Sequence, residues 1–237
     1  MNTQIQALLK TIYTLDKGLP PNDVVPYLRD MVKEIWSIYP TIVDLRNPAL
    51  KQRHWDKIQE VIGKIINKEE EFNLGKLIEE NIFDFREEIS NISSQASSEM
   101  ALEEMLNKLI KLWNDTEFQI QPYRDYKDVF LLIGIEEIQT QLEDSQVTIA
   151  TIKGSRHIGP IKNEVEKWDK QLTLFADTLD AWLNCQRNWR YLESIFSAPD
   201  IQRQLPDESK MFSQVIYKLN ELLIYSYYLK IIIYNNR

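Results

Sequence analysis

The stretch that decides the fold is IKNEVEKWDKQLTLFADTLDAWLNCQRNWRYLESIF, residues 161–196. Within it Ile161, Val165, Trp168, Leu172, Phe175, Leu179, Trp182, Gln186, Trp189, Glu193 and Phe196 follow one another at steps that alternate between four and three. A mean step of about 3.5 keeps one seam of an α-helix aimed at a partner helix along its whole length. At about 1.5 Å per residue, a helix over 160–197 is roughly 55 Å long. That exceeds the needs of a small compact domain and points to a long, stiff element.

Working upstream, the turn at Gly154–Gly159 separates this helix from an earlier one carrying Ile135, Ile138, Leu142 and Ile149. Before Gly134 the period changes. Phe118 and Ile120 alternate with Glu117, Gln119 and Gln121, Pro122 stops the run, and residues 123–128 are turn-rich. The apolar run 129–133 then completes a predicted β-hairpin.

The first half reads as helices with polar breaks. Leu8, Leu9, Ile12 and Leu15 predict a short helix ended by Gly18, Pro20 and Pro21, within a loosely held lead-in over 1–22. Asn22 or Asp23 caps the next helix, whose apolar residues Val24, Leu28, Met31, Val32, Ile35, Trp36 and Tyr39 are closed by Pro40. Leu50, Trp55, Ile58, Val61, Ile62 and Ile65 mark another. After Glu69, Glu70 and Glu71, Asn73 caps a helix with the stripe Ile78, Ile82, Phe85, Ile89 and Ile92. The serine-rich run 90–98 reads as a turn, and Leu102, Met105, Leu106, Leu109, Leu112 and Trp113 as a further helix. The expected fold is mainly α: elongated helical bundles with one long seam helix and a small β-hairpin.

Composition excludes several functions. The 237 residues carry 28 basic and 36 acidic side chains, a net charge of −8, and 43% are hydrophobic. Such a chain can build a core but has no overall pull toward nucleic acid or an anionic membrane. Nothing resembles a signal peptide or a membrane span, so the chain reads as soluble and intracellular. Cys185, the one cysteine, has no disulfide partner within the chain. With two histidines and that thiol, a zinc site is not expected. No G-x-x-x-x-G-K-[ST] or G-x-G-x-x-G motif is present. Lys153-Gly154-Ser155-Arg156-His157 lacks the spaced glycines of a phosphate loop and reads as an inter-helix turn. His54 has no second histidine one turn away, and Cys185 lies beside a helical seam. No catalytic, cofactor-binding or metal residue is therefore assigned.

Residues 179–208, LDAWLNCQRNWRYLESIFSAPDIQRQLPDE, resemble the linker of dynein heavy chains. The family pattern is W-L-x-x-Q-x-x-W-x-Y-L-E-x-I-F, then D-I-x-x-Q-L-P-x-E and a phenylalanine. Here it falls on Trp182, Gln186, Trp189, Tyr191, Leu192, Glu193 and Phe196, then Asp200, Ile201, Gln204, Leu205, Pro206, Glu208 and Phe212. Residues 123–138 resemble the family's hairpin-and-helix segment, ending in Gly134, Glu136, Glu137 and Ile138. The Cys185-Gln186-Arg187 and Ala198-Pro199-Asp200 variants are more similar to axonemal than to cytoplasmic chains.

The resemblance implies a force-transmitting lever, curved over a ring of six AAA+ modules, in a microtubule motor of cilia. It implies ATP and Mg²⁺ in that ring and no cofactor in this segment. The implied partners are the rest of the linker and the ring; other dynein subunits and microtubules are reached only through the full motor. The implied location is cytoplasm and cytoskeleton, at the ciliary axoneme. The ATPase, stalk and microtubule-binding parts are not among these residues. A free-standing helical scaffold or tethering protein is the alternative; it needs only the heptad spacing and not the polar motif positions.

The expected organisation is a lead-in (1–22), a helical bundle of the linker (23–115), a hairpin plus long helix (116–215) and an atypical tail (216–237). In that tail 15 of 22 residues are Ile, Tyr, Asn or Lys, and the family's aspartate, tryptophan and Ile-Met pair are missing. The bias reads as an intron or shifted frame translated from about Val215. The alternative is a divergent helix packing through Leu219, Leu222, Leu223 and Tyr227.

Overall fold

The computed structural model describes residues 2–64, 74–124, 126 and 129–228. Along them run α1 (Asn2–Gly18), α2 (Val24–Leu45), α3 (Gln52–Ile62), α4 (Leu74–Glu79) and α5 (Arg86–Asp115). Then come β1 (Gln119–Pro122), β2 (Phe130–Ile133), α6 (Ile135–Lys153), α7 (Lys162–Phe196), α8 (Pro199–Gln204) and α9 (Pro206–Tyr228). The described residues are mainly α with one small hairpin, as the periodicities predict. The chain divides into two compact units, Met1–Ala101 and Leu102–Arg237, with the division inside α5.

In the first unit, α1 is longer than the short helix expected, and of its expected residues Ile12 and Leu9 hold it, joined by Ile5. Ile5 and Ile12 are buried against Val25 and Val32 of α2, whereas Leu8 and Leu15 are 49% and 42% exposed. Asn22 rather than Asp23 supplies the cap: its Oδ1 accepts the backbone N–H groups of Val24 and Val25 at 3.1 and 3.0 Å. Pro40 does not end α2, which continues to Leu45. A proline removes one helix hydrogen bond, and burial of Thr41 and Leu45 beyond it sustains the last turns.

The second cluster of this unit joins Leu45, Ile58, Ile62, Leu77, Ile82, Ile89 and Ile92. Its isoleucine stripe is not one helix. α4 stops at Glu79, Asn81 adopts a left-handed conformation (φ 55°), and a 3-10 turn over Ile82–Phe85 leads into α5. The serine run is likewise not a turn but lies within α5. Ser97 and Ser98 donate their hydroxyls to the carbonyls of Ser93 and Ser94 at 3.1 and 2.9 Å, so the helix absorbs them. Buried Ser93 and Ala96 keep that face thin. Asn47, from the α2–α3 turn, reaches into it, donating to the Ser93 carbonyl at 3.0 Å and to Ser97 Oγ at 2.8 Å. Ile65, Glu69, Glu70, Glu71 and Asn73 lie outside the described residues.

The second unit is built on the seam. Val165, Trp168, Leu172 and Leu179 of α7 are buried with Ile135, Ile138, Leu142, Ile149 and Ile152 of α6 and with Leu102, Leu106, Leu109 and Trp113 of α5. Each buried side chain of this size contributes about 1.5–3 kcal/mol. Trp113 donates its indole N–H to Ser145 Oγ at 2.9 Å and meets Phe175 edge-on, centroids 5.1 Å apart. α7 is one unbroken helix of 35 residues. β1 and β2 pair antiparallel, with Ile120 opposite Leu132 and Pro122 opposite Phe130. Gly134, at φ 62°, makes the left-handed step from β2 into α6. α9 runs without a break past Val215 to Tyr228. The packing expected of Leu219, Leu222, Leu223 and Tyr227, and turn residues Asp125, Lys127 and Asp128, lie outside the described side chains.

Candidate functional site: a hairpin clamped to the seam helix

Gln186 occupies a seam position, and the hairpin explains why an amide belongs there. The Tyr123 N–H bonds the Val129 carbonyl at 2.8 Å, which makes that pair a hydrogen-bonded one. Alternation then makes Pro122–Phe130 and Ile120–Leu132 non-hydrogen-bonded pairs. Pro122 therefore loses no ladder bond, and the N–H and C=O of Leu132 point away from β1. Gln186 satisfies both. The Leu132 N–H donates to Gln186 Oε1 at 2.9 Å, and Gln186 Nε2 donates to the Leu132 carbonyl at 3.0 Å. One side chain thus replaces the edge of a third strand.

One turn further along α7, Trp189 is 4% exposed. Its ring meets Tyr123 edge-on at 5.1 Å and stacks on Phe212 of α9 at 5.9 Å. Phe212 also stacks on Phe196 at 5.0 Å. Aromatic pairs of this geometry add about 0.5–1.5 kcal/mol to the area they bury.

Next on the seam, buried Glu193 gathers the hairpin turn. Its Oε2 accepts from Arg124 Nη1 at 2.9 Å and from the Tyr123 hydroxyl at 3.3 Å, and its Oε1 accepts from the Tyr126 hydroxyl at 3.2 Å. Loss of solvent and the bond to this carboxylate push the Tyr126 hydroxyl above the usual phenol range. Backbone, ring and carboxylate contacts at three successive seam positions fix the hairpin to α7.

The motif positions separate accordingly. Gln186, Trp189, Glu193 and Phe212 converge on the hairpin, Phe196 joins them through Phe212, and Trp182 is half-buried against the α5–α6–α7 core. Among the described residues, the indole N–H groups of Trp182 and Trp189 find no acceptor although buried. Tyr191 is 72% exposed, Leu192 and Leu205 lie at the surface, and Gln204, Pro206 and Glu208 are exposed. Asp200 pairs with Arg203 at 3.1 Å on the surface, and Ile201 is half-buried. Tyr123, Arg124, Tyr126 and Leu132 complete the clamp. Nothing in the sequence assigns them, because their partners lie 54 to 70 residues away.

A second polar cluster, also unassigned from sequence, ties α3 to α5. His54 Nδ1 accepts the Lys51 N–H at 3.0 Å, so the proton sits on Nε2, which donates to Glu99 Oε2 at 3.0 Å. Arg53 Nε donates to the same oxygen at 3.0 Å, and Gln95 Nε2 to Oε1 at 2.6 Å. Burial raises the Glu99 carboxyl, but the bonds from Arg53, Gln95 and His54 outweigh it and hold the group below its ordinary value. Among the described residues, no three His, Cys, Asp or Glu side chains gather as a metal site. No described helix is long and apolar enough to cross a membrane.

This is a helical protein in which Gln186, Trp189 and Glu193 fasten a hairpin to a long helix. Residues 1–229 match the model of the dynein heavy chain, N-terminal region 2. The chain is 50% identical to human (Homo sapiens) dynein axonemal heavy chain 6 over 224 residues, 94% of this chain and 5% of that protein. It is 36% identical to human dynein axonemal heavy chain 2 over 218 residues, 91% of this chain and 5% of the relative. Against dynein axonemal heavy chain 1 of Rattus norvegicus the identity is 34% over 197 residues, 83% of this chain and 4% of the relative. The chain belongs to the dynein heavy chain family. It spans 4–5% of the length of these relatives.

Proposed function

We propose that this chain is the N-terminal part of the linker of an axonemal dynein heavy chain, a lever that transmits force and performs no chemistry itself. The observation that carries the reading is α7, 35 uninterrupted residues and roughly 50 Å at about 1.5 Å per residue. Its seam packs on α5 and α6, and its far end grips the hairpin. A lever transmits force only if its helices do not slide past one another. Sliding α7 by one seam position would pull Trp168 and Leu172 from the core and break the Gln186 clamp together, so the packing resists it as a unit.

On this reading ATP and Mg²⁺ act in the AAA+ ring of the parent chain, since no glycine-rich phosphate loop exists in this sequence. The partners are the remaining linker and that ring; microtubules and other dynein subunits are reached through the full motor, in the ciliary axoneme. Bending would be a switch between discrete packings set by the ring's nucleotide. Gln186, Trp189, Glu193, Phe196 and Phe212 serve as structural contacts, and the names of the relatives supply the axonemal assignment.

The test uses the full-length heavy chain carrying Leu172→Ala on the seam, with surface Lys170→Ala as control. Leu172→Ala should keep ATP turnover near the parent value and slow microtubule gliding, while Lys170→Ala leaves both unchanged. Unchanged gliding with Leu172→Ala, or turnover and gliding falling in proportion, would overturn the proposal.

A further inference from the structure

We infer that Tyr126 is a phosphorylation site, and that a phosphate on it releases the hairpin tip from α7 while the Gln186 contact stays in place. Among the described tyrosines, Tyr13, Tyr27, Tyr191 and Tyr217 are also exposed, but each lies within a helix: α1, α2, α7 and α9 respectively. Tyr39 is half-buried in α2, and Tyr123 is buried. Tyr126 is 45% exposed and sits in a tight turn after β1, where its N–H bonds the Tyr123 carbonyl at 3.2 Å. A kinase seats its substrate segment as an extended chain, so a helix must unwind locally before it can be seated. The turn needs no such unwinding. Asp125 and Asp128 flank Tyr126 in the sequence, which suits a tyrosine kinase whose substrate cleft is basic.

The hydroxyl is available for the reaction. Its bond to Glu193 Oε1 is 3.2 Å, longer than the usual O–H···O range of about 2.5–3.0 Å, so it opens readily. In the transfer, Tyr126 Oη bonds to the γ-phosphorus of ATP, the bond to the β-phosphate oxygen breaks, ADP leaves, and the phenolic proton passes to the kinase's base. A donor to Glu193 is thereby exchanged for an ester that carries about 1.5–2 negative charges and only accepts. Glu193 is 3% exposed, so its carboxylate cannot turn into water to avoid the phosphate. Like charges at that separation repel, and a hydrogen bond to a charged group is lost as well. Arg124, whose side chain is 59% exposed, follows the phosphate outward as its ion-pair partner. Leu132 is held by Gln186, an uncharged amide, so that end of the hairpin stays fastened.

The inference rests on the clamp geometry and not on the lever reading, and its test is separate from the gliding assay. The full-length heavy chain is incubated in MgATP with and without a tyrosine kinase that prefers acidic substrates. Phosphotyrosines are mapped by mass spectrometry, and deuterium uptake is compared between the two samples. Tyr126 should be modified ahead of Tyr13, Tyr27, Tyr191 and Tyr217. The Tyr123 and Tyr126 amides should then exchange roughly 10- to 100-fold faster, while the Leu132 amide keeps its former rate. Tyr126→Phe should show no kinase-dependent change at these amides. Glu193→Gln should still take phosphate on Tyr126 but show little further change in exchange, because the charge that repels the phosphate is gone. The inference would be overturned by an unmodified Tyr126 or by helical tyrosines modified ahead of it. Unaltered exchange after modification, faster exchange at Leu132, or an equal response in Glu193→Gln would overturn it too. Any of these would leave the lever reading standing.

Discussion

The Gln186 clamp gives the sharpest quantitative test. Gln186→Ala removes two hydrogen bonds and leaves the Leu132 N–H and C=O without partners beside a side chain that is 5% exposed. A buried polar group left unpaired costs about 1–3 kcal/mol, and partial access of water reduces the sum for the pair to roughly 2–3 kcal/mol. At about 1.4 kcal/mol per tenfold, the Leu132 amide should exchange with deuterium roughly 30- to 150-fold faster. The Ile149 and Ile152 amides, in α6, serve as internal references and should change less. Gln186→Glu separates the two halves of the clamp: it keeps the acceptor for the Leu132 N–H but sets a carboxylate against the Leu132 carbonyl. It should be at least as damaging to the hairpin as alanine. Native protection of Leu132 in Gln186→Ala would refute the claim that this side chain fastens the strand.

The other contacts make distinct predictions. Glu99 has a lowered folded pKa, so its stabilising contribution is present above the ordinary carboxylate range and is lost as pH falls through the folded value. Glu99→Gln should therefore destabilise the first unit near pH 7 and converge on the parent protein in acid; a pH-independent difference in denaturation midpoints would contradict this. Trp189→Ala should cost about 3–5 kcal/mol by emptying the space between Tyr123 and Phe212. Trp189→Phe should cost far less, because it keeps a ring there and removes an N–H that has no acceptor; equal losses in urea titrations would count against the packing account. Gly134→Ala places a Cβ 2.9 Å from Gln119 Oε1 at φ 62°, and calorimetry should show a loss of about 1–2 kcal/mol.

The parts of the fold that were legible in the sequence are those where one period runs long enough to leave no second reading. The seam from Ile161 to Phe196 is such a run, and α7 follows it. The hairpin was legible because alternation, a proline stop and Gly134 agree. Pro40 and the serines of 90–98 misled for one reason: each is a local preference, and burial of Thr41, Leu45, Ser93 and Ala96 overrides it. Of the clamp, Gln186, Trp189 and Glu193 were legible as seam and motif positions. What they bind was hidden, since neither Leu132 nor Tyr126 advertises a partner more than fifty residues away. The bond between His54 and Glu99, from separate helices, was invisible for the same reason.

The measurement that bears most directly on the lever is single-molecule stall force in an optical trap, with the full-length heavy chain carrying Ala181→Pro. Ala181 is exposed on α7, so proline there removes a helix bond and kinks the rod midway between the core and the clamp, at a cost of about 3 kcal/mol, without emptying the core. A lever that works through the stiffness of α7 should lose stall force while its ATP turnover persists. Full stall force from a motor with an interrupted α7 would contradict the account.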